Sequence, residues 1–178
     1  MKIGINNLLK FFLVMLLPLM VVNGGAVLAA DEYPAQPIQA KQRCPVCGMY
    51  TAQFPEWATQ VVFKDRSMVA PESPAELFRF LGNVGKFDTR HTASDVAKIY
   101  VTDYTSRTWI DAKQAYYVQG SKQKGPMSAD FPAFATQSHA ENFAKEHGGK
   151  VMTFDALSSS EINDHSGHGG HTHGDNRK

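Results

Sequence analysis

The sequence predicts an α+β fold made of two tandem, similar ββαβ halves that form one compact unit. Two observations predict it. Segments rich in β-branched and aromatic residues lie around two short helical segments, each time in the order strand, strand, helix, strand. Both helical segments begin with the same capping pattern, a serine followed three residues later by a glutamate. We therefore expect both helices to pack on antiparallel strands.

In the first half, strands are predicted at 59–63, 67–70 and 96–101. Between the last two, the segment Ser-Pro-Ala-Glu at 73–76 predicts the start of a helix, because serine caps a helix well and proline is favoured in the first turn. Gly82 predicts the end of that helix.

The second half repeats this order. Strands are predicted at 108–110, 115–119 and 150–154. The segment Ser-His-Ala-Glu at 138–141 predicts a second helix start, and the glycine pair at 148–149 predicts its end.

The first thirty residues have the pattern of a secretory signal peptide. Lys2 and Lys10 precede an apolar run at 11–22, and small residues follow before residue 30. The apolar run is shorter than the ~20 residues that a membrane span needs. We therefore expect residues 1–30 to be cleaved on export to the periplasm, and an uncleaved membrane anchor is the alternative. No cysteine lies near the cleavage region, so the sequence does not predict a lipid anchor there.

The remaining chain divides by composition. Residues 31–43 are polar and are expected to form a flexible lead-in, and residues 44–157 form the predicted domain, with halves at about 44–103 and 104–157. Residues 158–178 are rich in Ser, Gly, His and Asp and are expected to be a disordered tail, because they offer too little apolar surface to bury.

The charge pattern excludes some classes of function. The formal net charge is +1, and the basic residues are scattered rather than interleaved with aromatic residues in a stripe, so no nucleic-acid partner is predicted. Asp103, Tyr104, Trp109 and Asp111 cluster in sequence where the halves meet, but no paired nucleophile or base accompanies them. We predict neither a small-molecule substrate nor an enzyme activity.

The chemistry of the chain is concentrated in the segment CPVCGM at 44–49, which holds both of its cysteines. A structural zinc site needs four ligands, and only one such cysteine pair exists. Covalent haem attachment needs histidine where Gly48 stands. A thioredoxin-like dithiol needs a buried strand before it and a helix starting at Cys44, and neither is predicted. A disulfide between Cys44 and Cys47 would close a very small loop and stabilise the fold little.

Soft-metal binding is the use of this segment that the chain supports best. Thiolate and thioether sulfur suit Cu(I), which is satisfied by two or three soft ligands. Gly48 allows the backbone to turn so that Met49 can approach the thiol side. Two alternatives stay open: a thiol–disulfide oxidoreductase that uses Cys44 and Cys47, and a passive copper-sequestering protein.

Several segments together resemble the NosL family, the copper accessory proteins of nitrous oxide reductase. These segments are CPVCGMYTAQFPEWATQVVFKD, SPAELFRFL, YVTDYTSRTWIDAKQAYYVQGS, GPMSADFPAF and GGKVMTF, and the likeness covers about 44–157. The resemblance implies two tandem ββαβ halves and a periplasmic Cu(I) chaperone. It also implies delivery to the copper–sulfide centre of nitrous oxide reductase, together with a membrane ABC-type complex. Family members are commonly lipoproteins, and in this respect the sequence departs from the pattern.

Within this resemblance, Cys47 and Met49 are the first predicted copper ligands because they lie in the matching motif. Met127 matches the GPM element and is a third predicted ligand, from the other half of the domain. Cys44 is an auxiliary ligand, because two thiolates would bind Cu(I) so tightly that transfer is hindered. Met127 also has an ordinary reading, since methionine readily fills gaps in a core.

The C-terminal segment carries four closely spaced histidines, His165, His168, His171 and His173. Neutral imidazole binds Cu(II) and other divalent metals, so these residues are a predicted weak secondary metal site. A solvated linker that happens to contain histidine is the alternative.

Overall fold

A computed structural model describes residues 31–159 of the chain. Its first sheet has four antiparallel strands in the order β2-β1-β3-β4. These are β1 (Thr59–Phe63), β2 (Met68–Val69), β3 (Val96–Thr102) and β4 (Trp109–Asp111). Every residue of β1 is buried, because this strand lies between two neighbours and beneath a helix.

The second sheet has three antiparallel strands in the order β6-β5-β7. They are β5 (Tyr116–Gln119), β6 (Ala133–Phe134) and β7 (Lys150–Thr153). A short stretch at 154–159 follows β7 and is helical.

Besides this stretch and two 3-10 helices (Thr51–Gln53 and Ala93–Asp95), the described residues contain three helices. They are α1 (Pro74–Gly82), the short α2 (Val84–Phe87) and α3 (Gln137–His147). Both helices of the predicted repeat, α1 and α3, are present, and each lies between the second and third strand of its half. The prediction of an α+β fold is confirmed, and residues 31–159 lie in one compact unit.

The repeat is clear in the sheet order, because the first strand of each half lies between the other two. One assignment from sequence is wrong. The strand predicted at 108–110 is β4, which pairs with β3 and extends the first sheet. The second strand of the second half is β6, two residues next to a proline, which the sequence analysis missed.

The start of α1 agrees with the sequence, and the start of α3 does not. Ser73 caps α1, and its hydroxyl accepts a hydrogen bond from the Glu76 amide. Helix α3 begins at Gln137, because the hydroxyl of Thr136 accepts from the His139 amide at 3.3 Å. Gly148 ends α3 with φ at 75°, a backbone conformation that favours glycine.

The main hydrophobic core joins the two halves. Phe78 of α1 packs against three aromatic rings of the second half, those of Tyr117, Phe131 and Phe154. The same cluster contains Phe63 of the first sheet. Burying one such phenylalanine contributes roughly 1.5–3 kcal/mol, so α1 holds the halves together.

Residues 31–43, which the sequence predicts to be a flexible lead-in, make hydrogen bonds to the first sheet. The Tyr100 hydroxyl donates to the Asp31 carboxylate at 2.5 Å, and the Gln36 amide donates to the Gln60 side chain at 2.8 Å. The segment is anchored on β1 and β3 because buried polar groups of those strands need partners.

Residues 158 and 159, which the sequence assigns to the tail, lie in the helical stretch 154–159. The Ser158 hydroxyl donates to the Phe154 carbonyl oxygen inside the helical stretch 154–159. The predicted signal peptide and the four tail histidines lie outside the described residues. Within 31–159, no helix is long and apolar enough to cross a membrane.

Candidate metal centre

The segment 44–49 forms a closed turn. The Cys44 amide donates to the Met49 carbonyl oxygen at 2.8 Å, and the Gly48 amide donates to the Cys44 carbonyl oxygen at 3.0 Å. Arg43 and Tyr50 pair as a β-bridge at the base of the turn. Gly48 has φ at 79°, so the turn needs glycine there, as the sequence predicted.

This turn gives the two thiols different environments. Cys44 is 2% exposed, and its sulfur accepts from the amides of Val46 and Cys47 at 3.3 and 3.5 Å. Cys47 is partly exposed, and both cysteines are free thiols. Of the two, Cys47 is therefore the thiol that a metal ion or a partner protein can reach.

Two glutamates that the sequence analysis did not select lie beside these thiols. Glu72 precedes the cap of α1, and Glu76 lies in its first turn. One ligand atom from each of Cys44, Cys47, Glu72 and Glu76 lies within 4.8 Å of the corresponding atom of the other three. We call these four residues the thiol–carboxylate cluster.

A capping box would turn the Glu76 side chain back toward the amide of Ser73. The structure instead pairs one Glu76 oxygen with Arg79 at 3.1 Å. The other oxygen is available to the thiol–carboxylate cluster. No spacing in the sequence signals this arrangement, because Glu72 precedes the extended cap residue Ser73 and lies outside the helix that carries Glu76.

The carboxylates of the cluster are buried and short of partners. Glu72 is fully buried and Glu76 is 1% exposed. Within residues 31–159, Glu72 interacts with the two thiols but with no other hydrogen-bond donor, and only one oxygen of Glu76 has a partner. Such groups are costly to bury without partners.

Burial raises the pKa of the Cys44 thiol strongly, and the neighbouring Glu72 carboxyl group adds to this effect. Burial also raises the pKa of Cys47, although the Met49 amide opposes it. The pKa of Glu76 is raised by burial despite Arg79. These shifts favour protonated thiols, so a metal ion bound by them would displace the thiol protons.

Asp130 connects this end of α1 to the second half. One of its oxygens accepts from the amides of Ala75 and Phe131, each at 2.9 Å. Burial raises the pKa of Asp130 to about 6. A side chain at Gly125 would come within 2.5 Å of Asp130, so the turn at 125–128 packs directly on this carboxyl group.

Met127 lies in that turn, which two hydrogen bonds between Gly125 and Ser128 close. Met127 is 50% exposed, and no other large hydrophobic residue within 31–159 is exposed. Core packing, the ordinary reading of Met127, is therefore wrong. Asp130 links this turn to α1, because its carboxyl group accepts a hydrogen bond from the Ala75 amide in the first turn of α1.

The fold and this site define a class: a small α+β protein whose thiol–carboxylate cluster brings four potential metal ligands within 4.8 Å of one another. Residues 34–162 match the NosL family. The copper-binding lipoprotein NosL of Stutzerimonas stutzeri is 33% identical over 144 residues, which cover 75% of this chain and 72% of that protein. The chain belongs to the NosL family.

A solved structure agrees with this assignment. The crystal structure of the copper chaperone NosL from Shewanella denitrificans matches with a TM-score of 0.60 and 29% sequence identity, over 69% of this chain and 94% of that one. The family match starts ten residues before the expected domain and extends past its end, which agrees with the ordered lead-in.

Proposed function

We propose that this protein is a periplasmic Cu(I) chaperone that binds the ion through Cys47, Met49 and Met127, with Cys44 as an auxiliary ligand. The observation that carries the proposal is the partly exposed Cys47 thiol in a tight turn with Met49. The names of its relatives, a copper-binding lipoprotein and a copper chaperone, support it.

The chemistry of these side chains suits a carried ion. Cu(I) prefers soft donors and accepts low coordination numbers, so one thiolate and one or two thioethers are sufficient. Cys47 is only partly buried and Met127 is half exposed, which leaves a side open to an acceptor. Transfer then proceeds by ligand exchange, in which the acceptor replaces one sulfur at a time.

The acceptor in this proposal is the copper–sulfide centre of nitrous oxide reductase, served with a membrane ABC-type complex. The resemblance to the NosL family supports this assignment. Export by the signal at 1–30 supports the periplasmic location. The protein has no catalytic role in this proposal, and the histidines at 165–173 collect Cu(II) or other divalent metals weakly.

The site differs from that of a thiol–disulfide oxidoreductase. Such enzymes lower the pKa of the first cysteine, which lies at a helix N-terminus. Here the segment 44–49 is a turn, and burial raises the pKa of Cys44. These features favour metal binding over the redox alternative.

An anaerobic titration of the reduced, metal-free protein with Cu(I) against a chelator tests the proposal. Native mass spectrometry is expected to show one tightly bound Cu(I) per chain, and X-ray absorption to show mainly sulfur donors. Met49→Leu is expected to weaken binding at least tenfold. Met68→Leu is the matched control, because Met68 is part of strand β2. This substitution should leave the Cu(I) affinity unchanged.

Failure of the reduced protein to bind Cu(I) would refute the proposal. Tight binding without transfer to apo nitrous oxide reductase or the membrane complex would favour passive copper sequestration instead.

A further inference from the structure

We propose that a cleft beside the Met127 turn docks an acidic side chain of the protein that receives copper. The cleft lies between α1, the loop that follows β5 and the segment 129–131, and its volume is about 500 Å³. We call it the basic cleft, and Arg79, Ser121, Lys124 and Asp130 are among the residues that line it. This inference rests on the proposed function, because its partner is the acceptor of the carried ion.

The basic cleft adjoins both parts of the chain that carry the proposed copper ligands. Lys124 and Ala129 line it, and the turn that carries Met127 lies between them in the chain. On the opposite wall, Arg79 contacts Glu76 at 3.1 Å, and Glu76 belongs to the thiol–carboxylate cluster. A side chain bound in this cleft therefore places its protein next to the half-exposed Met127.

The exposed charge around the cleft is positive. Residues 116–135 contain two lysines, Lys122 and Lys124, and a single acid, Asp130, which is only 3% exposed. Both lysines are exposed, and neither forms an ion pair with a carboxylate of residues 31–159. The side chain of Arg79 is 48% exposed. A carboxylate from another protein would supply the opposite charge that these groups lack.

Asp130 does not cancel this positive charge at the mouth of the cleft. One of its oxygens accepts hydrogen bonds from the amides of Ala75 and Phe131, each at 2.9 Å. The hydroxyl of Ser73 also interacts with this carboxyl group. These donors offset the negative charge of a buried group, so the exposed Arg79 and Lys124 dominate where a partner approaches.

A buried polar atom in the wall of the cleft is a second, independent observation. The hydroxyl oxygen of Ser121 is buried, and no group within residues 31–159 forms a hydrogen bond with it. Buried hydroxyl groups normally have hydrogen-bond partners. An ionised carboxylate only accepts hydrogen bonds, so a carboxylate in the cleft can accept one from Ser121. The wall of the cleft thus offers a neutral donor together with two cations.

The kinetics of copper transfer test the proposal. Full-length protein loaded with Cu(I) is mixed with apo nitrous oxide reductase or the membrane complex, and the second-order rate constant is measured at several salt concentrations. Because salt screens attraction between opposite charges, the rate constant is expected to fall as salt rises. Lys124→Glu is expected to lower it at least about tenfold at low salt, while the Cu(I) affinity stays unchanged.

Lys86→Glu is the matched control, because it makes the same change of charge on α2, outside the residues that line the cleft. It is expected to transfer copper at nearly the wild-type rate. Circular dichroism checks that both variants fold. Equal rate constants for Lys124→Glu and Lys86→Glu overturn the inference, and so does transfer by the wild type that does not depend on salt.

Ser121→Ala tests the hydroxyl without changing any charge. It is expected to slow transfer at least about threefold, because the docked carboxylate loses one hydrogen bond. The free energy of unfolding is expected not to fall, since this hydroxyl has no partner within residues 31–159. A purely structural role for Ser121 would give the opposite pattern, a loss of stability with an unchanged transfer rate, and would contradict the proposed contact.

A probe that needs no acceptor separates this inference from the proposed function. Isotope-labelled, reduced, metal-free protein is titrated with triglutamate at low salt and followed by amide chemical shifts. The amides of Gly120, Ser121 and Lys124 are expected to shift with triglutamate and not with trilysine. Absence of these shifts, or equal shifts in Lys124→Glu, refutes the inference while Cu(I) binding and transfer still stand. If triglutamate binds there and no acceptor takes copper, the proposed delivery fails and the cleft remains a carboxylate-binding site.

Discussion

The imidazole of His91 stacks on the ring of Phe63, with centroids 3.8 Å apart and planes 4° from parallel. Each ring nitrogen also lies against a carboxylate: Nδ1 is 2.8 Å from Asp88, and Nε2 is 3.1 Å from Asp65. The imidazole is thus buried between two acids at the edge of the core.

This arrangement predicts a pH dependence of stability. Hydrogen bonding to Asp88, and then to Asp65, raises the pKa of His91 above its ordinary value of 6.5. The folded state therefore binds this proton more tightly than the unfolded state, so the stabilisation is complete below pH 6.5 and is lost as pH rises through the higher folded pKa.

Asp65 and Asp88 determine the pH below which this arrangement loses its stabilising effect. The pKa of Asp65 is lowered, mainly by hydrogen bonds from Ser67 and then from His91. The pKa of Asp88 is also lowered, because hydrogen bonds from His91 and the Arg90 amide outweigh burial. Their contribution is present above the ordinary carboxyl value of 3.8 and is lost as pH falls through the lowered values.

We therefore expect the free energy of unfolding to fall as pH rises above 6.5, by at most about 1.4 kcal/mol per pH unit from this one proton. Urea denaturation at several pH values measures it. His91→Gln is expected to flatten this slope, while His139→Gln at an exposed position of α3 leaves it unchanged. If the free energy of unfolding of His91→Gln depends on pH as in the wild type, His91 is not the group responsible.

A second prediction concerns the close approach of Gly125 to Asp130. In Gly125→Ala, the new methyl group would lie 2.5 Å from the Asp130 Cβ atom, so the turn that carries Met127 must shift. We expect a loss of about 1–3 kcal/mol in the free energy of unfolding and a weaker Cu(I) affinity. Urea denaturation and chelator competition measure the two effects.

Gly85→Ala is the matched control, because nothing lies within 4 Å of the added methyl group. It should cost no stability and leave Cu(I) affinity unchanged. Equal Cu(I) affinities in Gly125→Ala and Gly85→Ala would show that the turn at 125–128 does not position a ligand.

The sequence predicted the strands and helices that depend on local patterns. Richness in β-branched and aromatic residues revealed β1, and the cap at Ser73 revealed α1. Strand β6 was not predicted, because two residues are too few to show an alternation of apolar and polar side chains. Its position depends on pairing with β5. The pairing of β4 with β3 likewise depends on the tertiary structure and not on local propensity.

The candidate site was predicted only in part, for the same reason. The thiols and the thioethers were predicted, because their ability to bind a soft metal is evident from the motif itself. Glu72 and Glu76 were not, since near a helix start an acid is ordinarily a capping group. Only the packing of the turn at 44–49 against the start of α1 brings the acids to the sulfurs.

A third prediction concerns the core residue that joins the halves. Phe78 packs against the rings of Tyr117 and Phe154 at centroid distances of 5.5 and 5.1 Å. Phe78→Ala is expected to reduce the free energy of unfolding by about 3–5 kcal/mol, because it leaves a cavity between the halves. Urea denaturation measures it, and a loss below about 1 kcal/mol would show that α1 does not connect the halves.

A fourth prediction separates the tail from the domain. Deletion of residues 164–178 keeps the family match at 34–162 and removes all four tail histidines. We expect unchanged Cu(I) stoichiometry and a loss of Cu(II) uptake, because imidazole is the ligand that Cu(II) takes there. Equilibrium dialysis with each oxidation state measures this. If the shortened chain still takes up Cu(II) at the original stoichiometry, the tail is only a linker.

The last prediction compares the two thiols. Cys47 is partly exposed in the turn at 44–49, whereas Cys44 is 2% exposed and its pKa is raised strongly by burial. A thiol that gives up its proton less readily and that an acceptor cannot reach is a poor transfer ligand. Cys47→Ser is therefore expected to abolish tight Cu(I) binding, and Cys44→Ser to weaken it by less than about tenfold. Anaerobic chelator competition on both variants measures the difference, and urea denaturation confirms that each is folded. If Cys44→Ser loses Cu(I) as completely as Cys47→Ser, the buried sulfur is a primary ligand, and the ion is bound deeper than a site built for transfer allows.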